Sequence, residues 1–194
     1  MIKIGIIGEN YQNDACAFKA FLTPLYKGKI AFVPILKSLN GGTPPVNKVL
    51  RLLPIEIQKN QLNALLCLLD LDKEAKRNER NLWFSTIQKG VSVNSIFYLA
   101  VMELEALILA DIETFNKIYG IKRHYPKNPK FEDDPKGKLR VWTEKGKNKY
   151  DENHAEEIFK KLRFDVVYKK HSGDDSFQEF IDKFEKTFIE ELKN

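Results

Sequence analysis

Residues 64 to 69 are all apolar, and the run ends against Asp70 and Asp72, two carboxylates one residue apart in "LLDLDKE". On an extended chain these two side chains face the same way, with Cα atoms roughly 7 Å apart. Two ionised groups so placed repel, and partial burial penalises both charges, so one gains a proton or the pair shares a cation. Hard oxygen ligands of this kind suit Mg²⁺ or Mn²⁺, which need only one or two carboxylates and keep several waters. A turn that caps the next helix would also place aspartate here, because acids are favourable near helix starts. Other acids close other apolar runs. Glu9 follows "IKIGIIG", and Glu103 and Glu105 follow "NSIFYLAV". On a helix through "ELEALILAD", Glu105 shares the apolar face of Ile108, Leu109 and Ile112, where a carboxylate needs a cation or hydrogen-bond donors. Glu103 falls on the opposite, solvated side. Asp111 falls beside Leu104, Leu107 and Phe115 and is expected to hydrogen-bond a backbone or basic group.

The elements that must position these acids alternate. Strand patterns at 2–8, 29–36, 63–70 and 93–101 are separated by helix patterns at 13–22, 46–58 and 73–89, and a helix at 103–119 follows. That order predicts an α/β fold with a mostly parallel sheet of about four strands and helices on both faces. In such sheets ligands bind beyond the carboxyl ends of the strands. Three of the four strands deliver acid there, and the second delivers Lys37 and Ser38. Pro34 marks an edge or a bulge, and Pro54 ends or kinks its helix. Residues 1–119 are expected to form the core. Residues 120–194 are expected to add a basic, irregular lobe over 120–150 and two helices, 152–162 and 174–193, packed on that core. The stripe of Phe177, Phe180, Ile181, Phe184 and Phe188 in the last helix is core packing.

Charge follows a pattern too. The 194 residues carry a net charge of +5, which favours acidic partners such as DNA or RNA. Lys73, Lys76, Arg77 and Arg80 fall at helical spacing and predict a positive stripe beside the acidic edge. Residues 121–150 hold ten Lys or Arg against four acids, interleaved with His124, Tyr125, Phe131 and Trp142, a mixture suited to a phosphate backbone with unstacked bases. His124 and His154 are expected at the surface, and His171, just before a helix cap, could reach a phosphate. No phosphate-cradling GxxxxGK[ST], no GxGxxG and no GxSxG occurs, and the two cysteines, Cys16 and Cys67, have no spacing for zinc. Both lie in apolar runs and are expected to be buried thiols of a reducing cytoplasm. The opening "MIKIGIIGEN" is too short in apolar residues for a signal peptide and is expected to lead directly into structure. No uncharged apolar run reaches the ~18 residues of a membrane helix, so no membrane partner is expected.

Taken together, these segments resemble the TOPRIM (topoisomerase–primase) domain. More narrowly, the chain resembles the small bacterial TOPRIM-like proteins encoded beside AAA or ABC-type ATPases in phage-defence operons. "IIGENYQNDACAFKAFL" is similar to the family's opening, with Glu9 and Asp14 at its acids. "LLDLDKE" is similar to its DxD through Asp70 and Asp72, and "AVMELEALILAD" to its Glu-helix segment through Glu105 and Asp111. "DDPKGKL" and "DDSFQEF" match weaker later segments, which makes Lys136 a site candidate. The chain departs in having Asn10 after Glu9, where the family commonly has Gly, and Leu107 where it usually has an aromatic. The resemblance implies a metal-dependent nuclease under the control of an ATPase partner. Glu9, Asp70 and Asp72 would hold Mg²⁺ or Mn²⁺, and Glu105 would complete the cluster or orient water. Lys73, Lys76, Arg77, Arg80 and Lys136 would position the backbone. Two other classes stay open: a non-catalytic module that docks an ATPase or nucleic acid, and a small-molecule nucleotide binder.

Overall fold

The computed structural model describes residues 1–39 and 41–189. Asn40 of the "NGGTPP" loop and positions 190–193 of the last expected helix lie outside the described residues. The chain runs β1 (Ile2–Ile7), a π-helical turn (Tyr11–Cys16), α1 (Ala17–Leu22), β2 (Ile30–Pro34), α2 (Val46–Asn60), β3 (Ala64–Asp70), α3 (Arg77–Gly90) and β4 (Asn94–Ala100). It continues through α4 (Ala106–Ala110), α5 (Ile112–Tyr119), α6 (Pro135–Thr143), α7 (Ala155–Phe159), α8 (Phe164–Lys170) and α9 (Phe177–Phe188).

The four strands form one all-parallel sheet in the order β2-β1-β3-β4. The α/β expectation therefore holds. β3 is central and apolar on both faces, so every one of its residues from Ala64 to Leu69 is buried. Leu65, Cys67 and Leu69 point to one face, where Val49 and Leu53 of α2 and Trp83 and Ile87 of α3 complete a cluster. Phe97 and Leu99 of β4 pack against the same cluster. Tyr98 between them points to the opposite face and stacks on Phe18 of α1 at 5.5 Å between ring centroids. Helices thus cover both faces. Pro34 closes β2 at the sheet edge, where the sequence placed it. Pro54, by contrast, neither ends nor divides α2, which continues to Asn60. Its ring lies on the exposed side, where water can serve the carbonyl that loses its partner.

The chain divides into two compact units, Met1–Leu99 with Glu152–Lys160, and Ala100–Asp151 with Lys161–Asn194. The division falls at the end of β4, and one helix of the later chain, α7, belongs to the first unit, against α1. Phe21 and Phe159 meet edge to face at 5.9 Å in that contact.

In the second unit the expected helix over 103–119 is two helices. Asp111 breaks it with φ −110° and ψ 58°, and its side chain caps α5 by accepting from the Thr114 amide. The expected irregular lobe contains α6, started by Asp134 as cap and Pro135 at its first position. The phenylalanine stripe of α9 is buried throughout, as its spacing predicts. His171 is not at the surface. It is 1% exposed, and its Nδ1 accepts from the Phe177 amide at 3.0 Å, which supports the start of α9 rather than a phosphate.

Candidate metal edge and a second acidic pair

The site is built where the strands of the first unit end. Glu9 leaves β1 within two residues, and the turn after it is rigid. Asn10 accepts from the Gln12 and Asn13 amides, while the Asp14 carboxylate accepts from the Asn10 amide at 2.6 Å. Asp14 is therefore a reciprocal cap of the π-helical turn. Gly8 is required for this closure, because a Cβ there would lie 2.8 Å from the Asp14 Cβ and 3.2 Å from the Asn10 carbonyl oxygen. Gly8→Ala is expected to cost about 1–3 kcal/mol, the usual size of an overpacking penalty. Urea unfolding with an unchanged midpoint would show the turn to be softer than this packing.

Asp72 is set differently from the extended geometry expected of it. β3 ends at Asp70, and Asp72 has φ 57°, with the Lys73 amide donating to the Leu71 carbonyl at 2.6 Å. This is the pattern of the rare γ-turn, so the alternation of an extended strand stops before Asp72. Leu36 and Met102 also have positive φ, at 61° and 63°, each two residues beyond β2 and β4. The carboxyl end of the sheet is where this chain concentrates left-handed backbone outside glycine.

One cation joins the acids. Arg80 is 3% exposed, and its Nη2 lies 3.0 Å from Asp72 Oδ2 and 3.3 Å from Glu9 Oε1. Its Nε donates to the Asp70 carbonyl at 3.1 Å. Lys76 adds a second ion pair to Asp72 at 2.8 Å. Thr43, from the loop after β2, donates to Glu9 Oε1 at 2.8 Å, and Trp83 fixes that loop by donating to the Pro44 carbonyl at 2.7 Å. A cleft of about 340 Å³ opens beside Thr43 and Trp83. Burial pushes the Glu9 carboxyl above its ordinary range. The Thr43 hydrogen bond and Arg80 pull it back, and the Asp72 charge raises it again. The Asp70 side chain is half-buried, and its charge adds to burial in pushing the Tyr98 phenol up.

The basic stripe is thus corrected. Arg80 turns inward because it shares a helix face with Trp83 and Ile87, three and seven residues on. Lys76 is spent on Asp72, and Arg77 on Glu74. Lys73 is exposed, and its ammonium has no partner among the described residues.

The second unit holds its own acidic pair. Glu105 is 9% exposed and accepts from the Tyr150 hydroxyl at 3.0 Å. Lys136 Nζ lies 3.6 Å from Glu105 Oε1 and 3.7 Å from Glu103 Oε1, and the Lys136 amide donates to Glu103 at 3.0 Å. Burial pushes the Glu105 carboxyl up; Lys136 lowers it, Glu103 raises it and Tyr150 lowers it. The cation or donors that its apolar helix position demands are Lys136 and Tyr150. Asp111 is held by Arg163, whose guanidinium and backbone amide both donate to it, and by Thr114. Burial pushes the Asp111 carboxyl up, and these donors together carry it below the usual range. Tyr125 is buried against Trp142 at 6.3 Å and is not open to stack a base, whereas Phe131 is exposed beneath Lys130.

Sequence reasoning missed Thr43, Tyr150 and Arg163. The inward face of Arg80 was legible from its spacing to Trp83 and Ile87. Tyr150 and Arg163 act on acids 45 and 52 residues away, and nothing local marks them.

As a metal centre, the first-unit edge offers Glu9, Asp70 and Asp72, all hard oxygen donors. Among the described residues, no group of three or more His, Cys, Asp or Glu is arranged to hold an ion. The two carboxylates gathered on Arg80 match the one or two that Mg²⁺ uses. Among the described residues no helix is long and apolar enough to cross a membrane. Comparison with protein-family models, curated proteins and solved structures finds no match to this chain.

Proposed function

We propose that the chain is a TOPRIM-like, divalent-metal-dependent phosphodiesterase acting on DNA or RNA. The observation that carries this reading is the meeting of Glu9, from β1, and Asp72, from beyond β3, on one guanidinium nitrogen at the carboxyl end of a parallel sheet. The convergence of acids from beyond separate strands is what a hard cation requires of its oxygen ligands.

Glu9 and Asp72 would hold Mg²⁺ or Mn²⁺, with Asp70 to join them on binding; the ion would supply a nucleophilic water and offset charge on the phosphate oxygens. Arg80 holds Glu9 and Asp72 together, and a bound ion would have to displace it from between them. Lys73, exposed and uncommitted, draws the phosphate backbone to the edge. Control by an AAA or ABC-type ATPase in phage defence belongs to the same proposal and rests on the sequence resemblance alone.

Incubation with single- and double-stranded DNA and RNA in Mn²⁺ tests it. Cleavage is expected, with loss to the background level in EDTA and in Asp70→Asn. Equal cleavage by wild type and Asp70→Asn would remove the assignment. A second reading, a non-catalytic module docking an ATPase or nucleic acid, is favoured by the commitment of both acids to Arg80. It predicts no thermal stabilisation of the wild type by millimolar Mg²⁺ or Mn²⁺.

A further inference from the structure

The second unit contains a cleft of about 430 Å³ that the acidic pairs do not use. Asp111, Glu113, Arg123, His124, Arg163 and Lys170 line it. The balance of donors and acceptors decides what it accepts. Asp111 is saturated: Oδ1 takes Arg163 Nη2 and Nε, and Oδ2 takes the Thr114 hydroxyl and the Arg163 amide. Glu113 Oε2 takes Arg163 Nη2 at 2.9 Å. Asp111 is therefore fully committed, and Glu113 is engaged through one oxygen.

The cations are committed only in part. Arg163 makes its bonds through Nε and Nη2, so that Nη1 is unengaged among the described residues. Lys170 uses one of its N–H bonds on the Tyr125 carbonyl, at 2.6 Å. The side chains of Arg123 and His124 are exposed and make no hydrogen bond or ion pair among the described residues.

The segment that carries these two side chains is fixed at both ends. Asn116 clamps the Arg123 backbone, accepting from its amide at 3.0 Å and donating to its carbonyl at 2.8 Å. Lys170 holds the next anchor, Tyr125, which is 4% exposed. The backbone is thus held in place, while the two exposed side chains keep the freedom to close on a ligand.

We infer that this cleft binds a phosphate group, carried either by a free phosphorylated small molecule or by a nucleic-acid backbone. Planar guanidinium groups match phosphate oxygens two at a time, and a phosphate presents more acceptor oxygens to such a donor ring than a carboxylate does. The inference concerns the second unit alone and is independent of the metal edge.

The full chain is titrated calorimetrically with inorganic pyrophosphate, and by fluorescence anisotropy with a labelled single-stranded oligonucleotide at low salt. Both titrations are repeated on the Arg123→Gln/His124→Gln double variant, whose altered side chains are exposed and leave the melting point unchanged. At least one probe is expected to bind, with affinity falling about tenfold or more in the double variant. Pyrophosphate binding lost in the variant identifies a free phosphorylated ligand, and oligonucleotide binding lost in the variant identifies the backbone. Binding of neither probe, or binding that the double variant leaves unchanged, overturns the inference.

Discussion

The Arg80→Met variant melts about 6–12 °C below the wild type and recovers part of that loss when Mn²⁺ is added. Arg80 is buried with its guanidinium on Glu9, Asp72 and the Asp70 carbonyl. Methionine keeps much of the apolar stem and removes the charge, leaving a half-buried carboxylate pair and a carbonyl without their donor. Breaking a buried pair from one side costs about 3 kcal/mol, which in a chain of this size corresponds to that shift. The Glu9 carboxyl, already raised by burial, rises further without Arg80. A divalent ion can then occupy the vacated position, and at a hundred times its Kd it stabilises by about 2.7 kcal/mol. The measurement is a melting curve of both proteins with and without Mn²⁺. No gain in either protein would mean that the two acids answer to the arginine and to nothing else.

The second large effect is on pH dependence. His171 is buried, and that burial holds its imidazole down to about 4, against an ordinary value of 6.5. The hydrogen bonding of its own backbone opposes the shift, and the Lys130 charge adds to it. The neutral ring accepts the Phe177 amide through Nδ1. Because the folded value is depressed, the unfolded chain binds the proton more readily. The contribution of His171 is therefore complete above pH 6.5 and is lost as the pH falls from 6.5 to 4. The shift corresponds to about 3 kcal/mol over that window. His171→Asn retains an acceptor for the amide and does not titrate. The difference in unfolding free energy between the two proteins should shrink by roughly that amount on acidification. A constant difference from pH 7 to 4 would place the imidazole in contact with solvent. Glu9 and Glu105, whose values are raised, bend the curves of both proteins in the opposite sense and cancel in the comparison.

The sheet was legible because its strands announce themselves. A six-residue apolar run such as 64–69 can be satisfied only between two helical layers. The break at Asp111 was not, because the apolar period runs on through 103–119 without interruption. What divides the helix is the capping geometry of one side chain and an arginine 52 residues away. α8, of seven residues, is too short to show a period, and α6 was hidden inside a stretch whose composition reads as loop. Asp134 and Pro135 were nevertheless its start signal. At the candidate site, the topology rule placed Glu9 and the 70/72 acids at one edge, and the structure does bring Glu9 and Asp72 to a common partner. That Arg80 is a partner there was not read from the sequence. The spacing that predicts a positive stripe also aligns Arg80 with the core residues Trp83 and Ile87.

Pro34 has a consequence for how these molecules behave at high concentration. The Ile35 amide donates inward, to the Ile6 carbonyl at 3.0 Å, so the neighbouring position along the strand faces away from the sheet. The missing N–H of Pro34 is thus absent from the outer margin of β2, where an invading strand from another copy would look for a donor. The proline leaves the internal ladder intact and removes one donor from that margin, which weakens edge-to-edge pairing there.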